Sequence, residues 1–167
     1  MDVSAFYGVV SAINFTLLGL WWVAVKDRAD IVGETASSRL TAYLVALQFV
    51  VLGTASLLAQ VAPDVVLVWR ISFATAGVVG AIDVVLLARE LRRTSRSRLV
   101  PVLFPLFGLP LFAAVIIVAV VPGLGAVLPP ELTPIQLEAI LVSLLVLLGV
   151  HEAWVVSKTP RSSRPVA

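Results

Sequence analysis

Arg70, Asp83, Glu138, His151 and Glu152 are ionisable, Asn14 and Gln48 carry amides, and all of them interrupt long apolar stretches of the chain. Inside a bilayer an ionisable group costs a few kcal/mol, so its presence calls for a partner, a watery cavity or a function. At about 1.5 Å rise per residue, Arg70 and Glu138 both fall roughly 6 to 9 Å below the outer ends of their segments, which allows an ion pair, the alternative being that Arg70 snorkels to the outer headgroups. By the same count Asp83 and His151 both lie roughly 25 Å from that side and match as a second pair. A carboxylate beside a histidine that titrates near neutral pH is the chemistry of proton or small-ion passage. Asn14 and Gln48 come near mid-membrane and extend such a polar lining. Their plainer reading is helix-to-helix hydrogen bonding, at about 0.6 kcal/mol per bond.

Other chemistries find no support in the residues present. There is no cysteine, which excludes disulfides, thiol redox reactions, iron–sulfur ligation and thiolate zinc. His151 is the sole histidine, so a haem held by two histidines of one subunit is excluded. His151-Glu152 lacks the second histidine of a zinc-binding helix motif, and neither a nucleophile elbow nor a phosphate-binding glycine loop occurs. Neither enzymatic activity, nor a metal, nor a cofactor is expected.

These residues are positioned by elements that composition makes membranous. The 167 residues are 60% hydrophobic and 13% charged, against about a quarter charged in ordinary globular chains. Five apolar segments are expected to span as helices over roughly 3–25, 40–62, 65–88, 99–121 and 134–157, forming one transmembrane domain over 1–157. The acidic start Met1-Asp2 reads as a retained helix rather than a cleaved signal. Residues 158–167, rich in Ser, Pro and Arg, are expected to form a disordered cytoplasmic tail.

Positive charge is sorted between connectors. Lys26, Arg28 and Arg39 fall in the first, Arg89, Arg92, Arg93, Arg96 and Arg98 in the third, and Lys158, Arg161 and Arg164 in the tail. The amino terminus and the second and fourth connectors have none. Because basic loops stay in the cytoplasm, the amino terminus is expected outside and the carboxyl terminus inside. The run Arg89–Arg98 suits anionic lipid headgroups better than a gating-charge repeat, which would lie within the apolar helix. The same retention accounts for the basic pI, and nucleic-acid binding is not expected.

Helical phase sharpens the site. At about 100° per residue Asp83 shares a stripe with Ser72, Ala76 and Gly80, and Glu138 shares one with Leu145, Gly149 and Glu152, whereas His151 points roughly 100° away from Glu152. Tyr7, Ser11, Asn14 and Trp21 line the first helix, and Thr41, Gln48, Ala55 and Ala59 the second. The small and polar third helix is expected at the centre of the bundle. Glu152 sits close enough to the inner interface to pair with basic residues there. Pro105 and Pro110 are expected to kink or open the fourth helix near Gly108, as a hinge or a source of free carbonyls.

The expected architecture is therefore an all-α integral membrane bundle of five helices in the cell membrane, in the Ala/Val/Leu/Arg-rich style common in bacteria. Two functions fit. The first is an accessory or scaffold membrane protein whose polar residues serve packing, as a homo-oligomer or within a larger complex. The second is a small oligomeric channel or transporter for protons or small ions, with Asp83 and His151 as its inner site and Arg70 and Glu138 as its outer gate.

Overall fold

The computed structural model describes residues 2–26, 28, 36–94 and 99–158. Among them there are five long helices and no strand: α1 (Val3–Val25), α2 (Ala36–Val61), α3 (Val66–Thr94), α4 (Val100–Val120) and α5 (Pro134–Lys158). Each is long and apolar enough to cross a membrane. A single 3-10 turn, Pro122–Ala126, lies between α4 and α5.

Local chemistry sets the helix starts. The Asp2 carboxylate accepts a bond from the Ala5 amide at 3.1 Å, a cap whose loss typically costs about 1 kcal/mol. Before α5 the Gln136 side chain accepts from the Thr133 amide at 2.9 Å, half of a capping box, and Pro134 fills the first helical position, where no amide donor is needed.

Two helices outrun their apolar segments. α2 begins at Ala36 and α3 continues to Thr94, because Arg and Glu favour helix as strongly as most apolar residues and need only water on their flanks. Arg89, Arg92 and Arg93 thus project from the last turns of α3 rather than from a loop, and Arg93 pairs with Glu90 at 3.2 Å. Residues 95–98, which complete the basic run, and the tail beyond Lys158 lie outside the described residues.

The helices form a ring in chain order, each packing on the next, with α5 returning to α1; α2 and α5 also meet across the middle. The register alternates in direction. Ser4 Oγ donates to the Gln60 carbonyl and Trp21 Nε1 to that of Ala42, which makes α1 and α2 antiparallel. Tyr7 donates to the Ile135 carbonyl and Arg28 to that of Ser157, which makes α1 and α5 parallel. We call the end where α1, α3 and α5 begin the near end, and the opposite one the far end.

The third helix is not the central one. It packs chiefly on α2 and α4, whereas α2 touches α1, α3 and α5 and is the most buried of the five. Both glycines of α3 face one neighbour, α4: Gly80 lies directly beneath the Phe112 ring, and a Cβ at Gly77 would fall 2.5 Å from Ile116. Small size here admits the bulk of α4 rather than two neighbours.

Nor does α4 open. It runs as one helix through Pro105 and Pro110, since each proline removes a single donor and a flanked transmembrane helix tolerates that loss. Gly108, the expected hinge point, is clasped between Val84 of α3 and Leu148 of α5.

The polarity is inverted relative to a soluble fold. Leu20, Leu67, Phe107 and Leu147 are more than half exposed, while Asn14, Gln48, Asp83, Glu138 and Glu152 are buried. Such an apolar exterior matches a bilayer as surrounding solvent.

Candidate functional site

The polar stripes converge on the interior. Tyr7, Ser11, Asn14 and Trp21 of α1, Thr41, Gln48, Ala55 and Ala59 of α2, and Glu138, Leu145 and Glu152 of α5 are all buried. α5 supplies two carboxyls on one stripe, fourteen residues and so about 21 Å apart along the helix. Midway, at Leu145, its carbonyl lies 3.5 Å from Gln48 Nε2. Nearby Gly149 admits the Gln48 side chain, whose Cγ would stand 3.0 Å from an added Cβ. A glycine here lets α2 and α5 approach closely, since any side chain would press on Gln48 and Phe49.

Register places the remaining groups. Seven residues toward the far end from Leu145 is Glu152, and the same step along antiparallel α2 leads from Gln48 to Thr41. The Ser37 hydroxyl donates to Glu90 between α2 and α3, so Asp83, seven residues back from Glu90, is level with Leu44 and within a turn of Thr41. Asp83 and Glu152 are therefore at one depth, both at most 1% exposed, and near enough for their charges to act on each other. At the near end Glu138 is similarly within electrostatic reach of Tyr7.

Neither expected ion pair forms. Both oxygens of Asp83 and of Glu138 lack any hydrogen-bond partner. The Arg70 guanidinium lies 5.3 Å from the ring of its neighbour Trp69, and its buried Nε is unpartnered. His151 is exposed, and its Nδ1 stands 2.8 Å from the Leu147 carbonyl of its own helix. It borders a groove of about 690 Å³ between α4 and α5 whose other lining residues are apolar. Direction around the helix separates the members of both pairs, and the buried group at the depth of Asp83 is Glu152. The expected pairing of Glu152 with interfacial basic residues is also absent, since it is fully buried with both oxygens unpartnered.

Bonded and unbonded groups divide by chemistry. Most buried donors find partners: Trp21 Nε1 and Tyr7 Oη reach carbonyls of neighbouring helices, Asn14 Nδ2 reaches the Val10 carbonyl at 2.9 Å, and Thr41 reaches that of Ser37 at 3.0 Å, with Arg70 Nε the exception. A helical carbonyl keeps a spare lone pair after making its backbone bond, whereas the helical amide has no second proton to give. Buried acceptors are therefore left over. Asn14 Oδ1, Gln48 Oε1 and both oxygens of Asp83, Glu138 and Glu152 have no partner, and the Ser56 hydroxyl, a donor as well as an acceptor, is likewise alone. Ser56, eight residues from Gln48 on α2, reaches the level of Glu138, and like Tyr7 it belongs to this interior although neither is ionisable in the ordinary range. Its signal in the sequence was only its place on the buried face of α2.

Among the described residues no group of three or more histidine, cysteine or carboxylate side chains is arranged to hold a metal. No family model, curated protein or solved structure matches the chain, so its interior is interpreted from its own chemistry.

Proposed function

We propose that this multi-pass membrane protein passes protons or small cations through its own interior. The supporting observation is the excess of buried acceptors: carboxyl oxygens of Asp83, Glu138 and Glu152, together with the amide oxygens of Asn14 and Gln48, are enclosed without a donor. If the polar residues served packing alone, they would be expected to bond across helices, as Trp21 and Tyr7 do. A carboxylate left unpaired in an apolar interior is costly, and protons, water or small cations are the species that would relieve it.

In this reading Glu138 receives the ion at the near end, Gln48 and Asn14 line the middle, and Asp83 with Glu152 delivers it at the far end. The sorting of Lys and Arg orients the near end outward and the basic end of α3 toward anionic lipid of the inner leaflet of the cell membrane. His151 and Arg70 have no part in the path. The chain acts without catalysis, as a single bundle or an oligomer of bundles.

The test is reconstitution into vesicles loaded with a pH-sensitive dye, with a potassium diffusion potential as driving force. Wild-type protein should acidify or alkalinise the lumen faster than protein-free vesicles, in the direction set by the potential. Wild-type vesicles as tight to protons, sodium and potassium as protein-free ones would refute this reading and return the protein to an accessory or scaffold role. The bonds joining α1 to α2 and α5 are the observation that favours that second reading.

A further inference from the structure

We infer that Asp83 and Glu152 form one binding site for a single proton, held between two carboxyl groups at the far end of the bundle. The inference names the ion and the residues within the translocation reading above, and it rests on that reading only for the proton's onward travel.

The geometry has three parts. Asp83 comes from α3 and Glu152 from α5, helices that are not consecutive in the ring, so the two side chains enter from different sides the interior bounded by α2, α3, α4 and α5, called the chamber below. Both side chains are at most 1% exposed, and each has two oxygens aimed into the interior without a partner. Among the described residues no cation is buried with them: Arg28, half-buried, donates to the Ser157 carbonyl, five residues beyond Glu152. On α2 the nearest charged or titratable groups, Arg39 and Tyr43, are exposed, and α4 carries no ionisable residue from Val100 to Val120. Lys26 of α1 and Lys158 of α5 are exposed at the ends of their helices, and His151 is exposed too. On α3, Arg89 is exposed, and Glu90 is engaged with Ser37 and Arg93. Glu138 is about 21 Å away along α5.

Two enclosed carboxylates repel, and a proton placed between them removes the repulsion while giving one oxygen a donor and the other a charge-assisted bond. A metal ion is less well served. Sodium or calcium gathers about six or more oxygens, whereas at this depth the buried side chains offer two carboxyl groups and the Thr41 hydroxyl, beside a wall of α4 that is apolar. Two carboxyl groups suffice for a proton, and a metal would have to draw its remaining ligands from helical carbonyls.

The test is pH-difference infrared spectroscopy of the reconstituted full chain, reading the carboxyl C=O stretch in wild type, D83N, E152Q and E138Q. Size-exclusion profiles of the isosteric variants check that each is assembled. One exchangeable proton shared by the pair predicts a carboxyl band that D83N and E152Q each abolish or shift and that E138Q leaves in place, with no change on adding sodium, potassium or calcium. Two independent bands, each lost only with its own residue, would overturn the inference, as would displacement of the band by any of those cations. The outcomes separate from those of vesicle flux. A coupled band without flux retains the site and rejects translocation, whereas flux with uncoupled bands retains translocation and rejects the site.

Discussion

The seam around α1 and the chamber between α3 and α5 are built from similar polar side chains, yet they treat them oppositely. Along the seam each donor meets a carbonyl: Ser4 to Gln60, Tyr7 to Ile135, Trp21 to Ala42 and Arg28 to Ser157. In the chamber Asp83 and Glu152 meet nothing. The difference follows from what a helix can offer a neighbour, which is carbonyl lone pairs and no spare amide protons. In an all-helical membrane protein, buried donors are readily absorbed as structure, whereas buried acid acceptors stay available to a ligand.

Substitutions can break or sharpen this contrast. The largest expected effect is on packing: Gly80→Leu forces a side chain into the Phe112 ring and should cost about 1–3 kcal/mol, read as a lower thermal midpoint in detergent. Tyr7→Phe removes one seam bond and should lower stability by about 0.6 kcal/mol, with ion flux unchanged. Asp83→Asn and Glu152→Gln should do the reverse. An amide brings donors that the surrounding carbonyls can accept, so stability should hold or rise by up to about 0.6 kcal/mol in the same thermal assay. A clear loss of stability in either variant would mean that the acids are packing elements. The smallest effect belongs to exposed His151, where His151→Ala should stay within about 0.5 kcal/mol and leave flux and its pH profile unaltered.

Much of this architecture was legible in the residues. Apolar length marks the spans, so α1 begins and ends where its uncharged stretch does, while α2 and α3 overrun theirs because hydropathy reports the membrane and not the helix. Periodicity also identified the buried stripes, including Glu138 and Glu152 on one face of α5. What it could not supply was the direction each stripe takes relative to another helix. Asp83 was matched to His151 by depth, and one position further along α5 turns the side chain by about 100°, from the lipid-facing groove to the chamber. The centrality of α2 was hidden for a similar reason, since small residues advertise close approach without saying on how many sides.

The decisive measurement is proton flux through vesicles carrying D83N beside vesicles carrying Y7F, both prepared as monodisperse protein and driven by the same potential. Chamber and seam are thereby compared with a single polar group altered in each. The account predicts that D83N falls to the level of protein-free vesicles and Y7F conducts as wild type. Flux undiminished in D83N, or lost equally in both, would contradict it.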